Sequence, residues 1–255
     1  MPHILRTRIQ KEIICEFLPP VTHGAKALVS TQKVIMLCGG MPSYPGGKTD
    51  VAEFLAAQGY WVFIPRYRGS WESAGQFLKI SPHQDVIDVI DQLPKGFRDL
   101  WSGKTHKIEH AEIYIVGSSF GGAAAILASR DLRVKKVVAL SPVIDWRVES
   151  KEESINALRI FAKNAFGAAY RFNEKDWNKL KTGKFYNPMH EAESIDGKKL
   201  LIIHAKDDKI VYARTSIRFA KMTGGKLKLL DRGGHFSLSK IIVPNVWKEI
   251  KGFLK

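Results

Sequence analysis

Short apolar runs alternate with amphipathic segments along most of the chain, a pattern typical of strands that alternate with helices. The predicted strands are 34–38, 60–64, 112–116, 136–140, 200–205 and 226–230. The predicted helices are 50–58, 82–93, 120–129, 154–166, 211–222 and 244–254. Because nearly continuous apolar strands are typical of a sheet buried on both faces, we expect an α/β fold with a mostly parallel sheet.

Two regions depart from this alternation. The first thirty residues predict a β-ribbon, in which 9–17 forms a strand that Pro19-Pro20 ends. Residues 142–193 show no parallel strand, but they contain an amphipathic helix and are rich in aromatic side chains. No linker rich in Pro, Gly or Ser separates them from the rest. We therefore expect one domain over 1–255, with 142–193 inserted as a small helical cap.

Charge and composition narrow the possible functions. The chain has 255 residues, 45% of them hydrophobic, which is ample for a packed core and argues against disorder. Lys and Arg outnumber Asp and Glu by 40 to 25, so the formal net charge is +15. Such a surplus is typical of proteins that bind nucleic acids or anionic surfaces. However, no basic run, zinc-finger, bZIP or RNP pattern is present, so we expect no nucleic-acid partner.

The sequence also bears on location. No segment approaches the roughly 20 consecutive apolar residues that a membrane span requires, so we expect no membrane span. Residues 1–8 lack the apolar core of a secretory signal. The two cysteines, Cys15 and Cys38, are too few for a disulfide framework and favour reduced thiols. We therefore expect a cytoplasmic protein.

The strongest chemical signal is the pentapeptide Gly117-Ser118-Ser119-Phe120-Gly121, which matches G-x-S-x-G with Ser119 as the central serine. It lies between a predicted strand and a predicted helix. This motif forms a tight turn that projects the serine hydroxyl outward, and its glycines let neighbouring backbone pass closely. A serine hydroxyl is a weak nucleophile, so the motif predicts a base and an acid elsewhere in the chain.

Candidates for the acid and the base follow in that order, each just beyond a predicted strand. Asp207 and Asp208 follow strand 200–205, and His235 follows strand 226–230 within Gly233-Gly234-His235-Phe236. His235 would take the proton from Ser119, and an Asp would orient its imidazole.

An acyl-transfer site also needs two backbone N–H groups that bind the oxyanion. We expect one from Phe120, the residue after the nucleophile. The other should come from the loop Gly39-Gly40-Met41-Pro42, which follows strand 34–38. We expect most aromatic residues of the insertion to pack against the fold and some of them to line the cleft over Ser119, because ligand pockets are mostly apolar.

Together these motifs resemble the α/β-hydrolases, in particular the prolyl-oligopeptidase-like catalytic domains and related small esterases. The resemblance also includes Tyr67-Arg68-Gly69-Ser70 and the run 201–211, and it extends from about Val34 onward. The family pattern H-G-x-x-D-x-x-V implies that Asp208 is the acid and that His204 is a strand-end residue, with Ala205 in place of glycine. The usual H-G-x-P loop implies Met41 as oxyanion donor, with Gly40 as the alternative.

The resemblance implies an α/β-hydrolase fold, with a mostly parallel central sheet flanked by helices. It also implies a serine hydrolase that forms an acyl-enzyme without a metal or cofactor. The oligopeptidases carry an N-terminal propeller for which this chain has no room, and a paired-Glu device for a peptide N-terminus is not recognisable. We therefore expect a carboxylesterase that acts on small-molecule esters. A peptidase or aminopeptidase that cleaves short peptides or amides is the first alternative. A non-catalytic binding protein on the same scaffold is the second.

Three further patterns resemble binding or catalytic motifs. Gly46-Gly47-Lys48-Thr49 resembles the end of a P-loop, but Pro42 stands where that motif requires glycine. The pattern H-x-x-E-H at 106–110 abuts a strand, whereas zinc proteases carry it on a helix, so we expect a polar loop. Arg214, Arg218 and Lys221 share one face of a predicted helix. If that face borders the cleft, an anionic substrate follows.

Overall fold

The computed structural model describes residues 4–21 and 31–255, and ten strands and seven α-helices lie within these ranges. The strands are β1 (Leu5–Ile9), β2 (Ile13–Leu18), β3 (Gln32–Cys38), β4 (Trp61–Pro65), β5 (Phe97–Arg98), β6 (Thr105–His106), β7 (Ala111–Ser118), β8 (Val134–Leu140), β9 (Leu200–Ala205) and β10 (Lys226–Leu230). The helices are α1 (Thr49–Ala57), α2 (His83–Gln92), α3 (Phe120–Ala128), α4 (Ile155–Phe166), α5 (Glu174–Asn178), α6 (Ala213–Thr223) and α7 (Pro244–Leu254).

Eight of these strands form one sheet in the order β1-β2-β4-β3-β7-β8-β9-β10. The six strands from β4 to β10 in that order are parallel, and β1 and β2 add an antiparallel hairpin at one edge. The inner parallel strands are mostly apolar on both faces because helices cover both faces, whereas β10 at the edge alternates exposed Lys with partly buried Leu. One core layer includes residues of α2, α3 and α6, and the other includes residues of α1 and α7. The predicted α/β fold is confirmed.

The N-terminal ribbon differs in detail from its prediction. The single strand expected over 9–17 is wrong, because the chain reverses between β1 and β2. Gln10 and Lys11 adopt left-handed backbone conformations with φ of 49° and 63°, as a tight hairpin requires. Neither residue is the Gly or Asn that usually announces such a turn, so the pattern concealed it. Residues 22–30 of the predicted ribbon lie outside the described residues.

Residues 142–193 lie between β8 and β9 and contain α4, α5 and several short 3-10 turns. The Ser154 hydroxyl caps α4 by accepting a hydrogen bond from the Ala157 N–H at 3.1 Å. The segment packs onto the sheet layer beneath it, where the Tyr186 hydroxyl donates to the Phe120 carbonyl at 2.6 Å. Among the described helices, none is both long enough and apolar enough to cross a lipid bilayer.

Candidate active site

Ser119 occupies a sharp turn between the end of β7 and the start of α3. Its backbone has φ 53° and ψ −121°, a strained conformation for a residue with a side chain. The turn closes only because Gly117 and Gly121 lack side chains. A Cβ at Gly117 would lie 2.1 Å from the Gly121 carbonyl oxygen, and one at Gly121 would lie 2.1 Å from the Cys38 oxygen. The geometry is that of the turn predicted from G-x-S-x-G.

Backbone hydrogen bonds hold this turn against the next strand. The Ser119 N–H donates to the Leu140 carbonyl at the end of β8 at 3.0 Å. The Ser119 carbonyl in turn accepts from the N–H groups of Gly122 and Val143, each at 3.0 Å. The half-buried Ser119 side chain is therefore carried by a backbone that is fixed on both sides.

The structure brings His235 and Asp208 together, although 27 residues separate them in the chain. The Nδ1 atom of His235 lies 2.8 Å from Oδ2 of Asp208. The other carboxylate oxygen, Oδ1, accepts hydrogen bonds from the N–H groups of Ile210 and Val211 at 2.9 and 3.0 Å. Asp208 is buried and His235 is half-buried, so the pair presents only its imidazole to solvent.

Opposing effects set the ionisation of Asp208. Burial alone would raise its pKa, but hydrogen bonds from His204, from His235 and from the Val211 N–H outweigh burial and hold the pKa far below its usual value. Asp208 is therefore a carboxylate at neutral pH. A permanent negative charge beside Nδ1 favours a proton on that nitrogen and leaves Nε2 as the acceptor.

The neighbouring Asp207 has a different position. Its side chain is exposed, and Oδ1 accepts a hydrogen bond from the Gly234 N–H at 2.9 Å. On the other side of the histidine, the Phe236 N–H donates to the Ser141 hydroxyl at 3.0 Å. Asp207 and Ser141 therefore hold the loop that carries His235, whereas Asp208 contacts the imidazole itself.

Ser119 and His235 line one cleft of about 480 Å³. The glycine loop that follows β3 forms another wall of this cleft, to which Gly40 and Met41 both contribute. A Cβ at Gly40 would lie 3.4 Å from the Ser119 Cβ, so the loop approaches the nucleophile closely. Phe120 begins α3, so its N–H lies at the N-terminus of that helix, an end that favours negative charge. The structure thus brings the predicted oxyanion loop to the nucleophile turn.

Aromatic side chains that the sequence analysis left without a role hold this glycine loop. The Tyr67 hydroxyl donates to the Gly39 carbonyl at 3.2 Å. Further along, the Ser43 N–H donates to the Tyr170 hydroxyl at 3.0 Å, and the Trp71 indole N–H donates to the Ser43 carbonyl at 2.8 Å. Tyr67 belongs to the Tyr67-Arg68-Gly69-Ser70 motif, so this contact gives part of that motif a structural reason.

Two charged residues in the cleft also escaped the sequence analysis. Glu153 comes from the helical insertion, and Lys48 precedes α1. Burial raises the pKa of Glu153, although the nearby His235 partly opposes this shift. Burial lowers the pKa of Lys48. Lys48 belongs to the Gly-Lys-Thr run that lacks the rest of a P-loop, and no motif marks Glu153, so the place of both residues in the cleft depends on tertiary packing.

The structure overturns the expectation about the aromatic residues of the insertion. The aromatic residues that line the cleft are Tyr44 and Phe236, both from outside the insertion. The insertion's aromatic side chains pack instead on each other and on residues below them, as with Tyr186 against Phe120 at 4.8 Å and Tyr170 against Phe77 at 5.2 Å between ring centroids. Burial of large rings in the core is more favourable than exposure in an open cleft.

The basic face of α6 also lies elsewhere. Arg214, Arg218 and Lys221 are exposed, and none of them lines the cleft. The guanidinium of Arg214 instead lies 4.7 Å from the centre of the Tyr212 ring. The condition for an anionic substrate, that this face borders the cleft, is therefore not met.

The structure also shows where the H-x-x-E-H pattern and the two cysteines lie. After His106 the H-x-x-E-H segment lies in a loop, as predicted, and the described residues contain no group of three or more potential ligands that could hold a metal ion. Cys15 and Cys38 are both buried and unpaired. Burial raises the pKa of Cys38 to about 12, so the thiol beside the glycine loop stays protonated and unreactive.

Solved structures share this architecture over the whole chain. An esterase of Pyrococcus furiosus matches with a TM-score of 0.66 and 19% identity, over 99% of this chain and 89% of its own. A soluble variant of monoglyceride lipase from Saccharomyces cerevisiae matches with a TM-score of 0.66 and 14% identity, over 100% of this chain and 96% of its own. Dipeptidyl peptidase 4 of Porphyromonas gingivalis matches with a TM-score of 0.66 and 16% identity, over 99% of this chain but 35% of its own.

The fold is that of an α/β-hydrolase, as expected. Residues 48–238 match the model of the prolyl oligopeptidase family, a span that includes Ser119, Asp208 and His235. The chain belongs to the prolyl oligopeptidase family and is a serine hydrolase. Among curated protein sequences, none matches this chain.

Proposed function

We propose that this protein hydrolyses carboxylic esters through a catalytic triad of Ser119, Asp208 and His235. The observation that carries the proposal is the 2.8 Å contact between His235 Nδ1 and Asp208 Oδ2, in a cleft that Ser119 and His235 both line. With Nδ1 committed to the carboxylate, Nε2 is the nitrogen that serves the nucleophile.

In the proposed reaction, Ser119 Oγ attacks the ester carbonyl while His235 Nε2 takes its proton. The N–H groups of Phe120 and Met41, or Gly40 in place of Met41, bind the oxyanion of the tetrahedral intermediate. Collapse of the intermediate breaks the bond to the alcohol, which leaves with the proton from His235. Water, deprotonated by His235, then attacks the acyl-enzyme and releases the carboxylic acid. Asp208 stabilises the imidazolium in both steps.

Two of the structural neighbours, an esterase and a monoglyceride lipase, support esters as the substrate class. Glu153 favours a second candidate, a peptidase for short peptides, because its carboxylate lines the cleft and could bind a substrate ammonium group. We keep this candidate as the alternative.

We also propose that residues 1–255 act as one domain, with 142–193 as a cap at the rim of the cleft. The contact of Tyr170 with Ser43 and the place of Glu153 in the cleft wall support this organisation. The buried and unpaired Cys15 and Cys38 are compatible with the reducing cytoplasm that we propose as the location.

The proposal is tested with Ser119→Ala and a short-chain p-nitrophenyl ester. We expect kcat to fall by about 10⁶-fold, to the background rate, because the acyl-enzyme cannot form. Circular dichroism should show an unchanged fold, and Ser118→Ala is the control because it removes the adjacent hydroxyl. Undiminished turnover in Ser119→Ala would contradict the assignment of the nucleophile.

The substrate preference of the wild-type enzyme distinguishes an esterase from a peptidase. Wild-type kcat/KM is measured for acyl esters and for aminoacyl amides that carry the same chromophore class. We expect ester cleavage to dominate. Efficient cleavage of the aminoacyl amides, lost in Ser119→Ala, would favour the peptidase instead.

A further inference from the structure

Behind the Asp208–His235 pair lies a second histidine. His204 is the fifth residue of β9, its side chain is fully buried, and its Nε2 lies 3.1 Å from Asp208 Oδ2. This is the same carboxylate oxygen that accepts from His235 Nδ1 at 2.8 Å. One oxygen of Asp208 is thus held between two imidazoles, one inside the sheet and one at the cleft.

The other contacts of His204 determine where its proton lies. Nε2 also lies 2.9 Å from the Val211 carbonyl oxygen, so both neighbours of this nitrogen are acceptors and it must carry a hydrogen. Nδ1 lies 2.9 Å from the hydroxyl of the fully buried Ser216 on α6, which can donate to it. A neutral imidazole therefore satisfies every contact.

The backbone that carries His204 is held rigidly by its neighbouring strands. Leu229 of β10 pairs with His204, and Ile203 beside it pairs with Leu140 of β8, so the backbone of His204 lies inside the sheet. Asp208 itself lies on the loop after β9. Its Oδ1 is tied to that loop, and Oδ2 is tied to the sheet through His204. Without His204, the hydrogen bonds that remain on the carboxylate come from its own loop and from His235.

We propose that His204 is a positioning residue, which anchors Asp208 Oδ2 to the central sheet and so fixes the carboxylate at the geometry that orients His235. This inference rests on the proposed triad. Hydrogen bonds that hold a catalytic group in place matter because small displacements of reacting groups slow the chemical step. A neutral histidine provides this hold without a charge that would compete with the imidazolium of His235.

The test compares His204→Asn with His204→Gln. Asn places its amide near the position of Nδ1, so it keeps the contact with Ser216 but does not reach Asp208. Gln is one methylene longer and places an N–H donor near the position of Nε2. We expect kcat for a p-nitrophenyl ester to fall by up to about 100-fold in His204→Asn with KM nearly unchanged, and to recover most of that loss in His204→Gln.

Ser216→Ala is the matched control for the loss of a buried hydrogen bond. It weakens the far end of the same chain of contacts, so thermal stability should fall while kcat stays within about 2-fold of wild type. If His204 only supported the fold, kcat would instead fall together with thermal stability in His204→Asn, His204→Gln and Ser216→Ala. Equal kcat in His204→Asn and wild type, or equal losses in Asn and Gln, would overturn the proposal.

Two readouts do not depend on the substrate. A fluorophosphonate reacts with the activated Ser119, so its labelling rate should fall in His204→Asn and recover in His204→Gln. The proton NMR signal of the His235 Nδ1–H in its bond to Asp208 should broaden or shift in the Asn variant alone. If the wild type labels at Ser119 but cleaves no ester, the proposed function fails while the labelling rates still decide the role of His204.

Discussion

Two polar networks in this protein, each centred on buried groups, use similar bonds for different purposes. The first, which we call the arginine network, ties the N-terminal hairpin to the segment after β4 and to α2. Its members are Glu12, Glu16, Arg66, Arg68, Glu72, Asp85 and Asp88. The second, the histidine chain, runs from His204 through Asp208 to His235.

The networks differ in where they end. No member of the arginine network lines the cleft of Ser119, and the Arg68 guanidinium meets Asp85 at 2.5 Å and Asp88 at 2.8 Å. The histidine chain ends at His235, whose imidazole lines the cleft. A closed network of buried charges holds elements of the fold together, whereas one that opens into a cleft presents a group for chemistry. The comparison implies that variants of the first should cost stability and variants of the second should cost rate.

The largest expected effect tests the open network. Asp208→Asn keeps the shape of the side chain but removes the charge that orients and stabilises the imidazole of His235. We expect kcat for a p-nitrophenyl ester to fall by about 10⁴-fold. Asp207→Asn is the matched control and should change kcat less than about 10-fold, because Asp207 binds the loop backbone instead of the imidazole. Similar losses in both variants would contradict the assignment of Asp208.

The next effect tests the closed network. Arg68→Met removes the cation that pairs with Asp85 and Asp88 and leaves the two buried carboxyl groups near each other without that charge. We expect the free energy of unfolding, measured by urea denaturation, to fall by about 3–5 kcal/mol, while kcat per folded molecule is retained. Lys226→Met is the control, because its ion pair with Glu249 is exposed and should contribute about 0–1 kcal/mol. A large drop in the kcat of Arg68→Met with an unchanged free energy of unfolding would contradict the contrast between the two networks.

The smallest effect concerns pH. Burial and the nearby negative charge of Asp88 raise the pKa of Asp85 to about 6, although the contacts with Arg68 oppose this shift. The Asp85 carboxyl therefore stabilises the folded state most when it is protonated. The unfolded chain ionises it near pH 4, so this stability is lost as pH rises from about 4 to 6. The difference in unfolding free energy between wild type and Asp85→Asn should decrease over that range.

The corresponding difference for Asp208→Asn provides the contrast. The pKa of Asp208 is held far below that of the unfolded chain, so its stabilising contribution is complete above about pH 5 and is lost only as pH falls further. Between pH 5 and 7 the Asp208 carboxylate itself therefore stays ionised in both the folded and the unfolded chain and adds no pH dependence of its own to this difference. If the two differences in unfolding free energy changed in parallel with pH, the two networks would not differ in how their charges contribute to stability.

Much of the sheet could be predicted from periodicity, because a buried parallel strand is a short apolar run and its helix is amphipathic. The bounds of β9, β10 and α7 agree with their predictions. The hairpin at Gln10 and Lys11 could not be predicted, since its left-handed residues are not the types that favour that conformation. Packing was the expectation for most of the insertion's aromatic rings, but their absence from the cleft could not be predicted, because periodicity does not say what a side chain faces.

The sequence by itself determined the nucleophile turn, because a serine between glycines at a strand–helix junction is a local signal. It also determined that an acid and a histidine follow later strands in the right order. Only the tertiary structure decided that Asp208 contacts His235 while Asp207 binds the loop, and that His204 supports Asp208 from behind. These contacts join residues whose relation depends on how neighbouring strands end and how their loops turn. No local pattern encodes that geometry, because it arises from packing of the whole sheet.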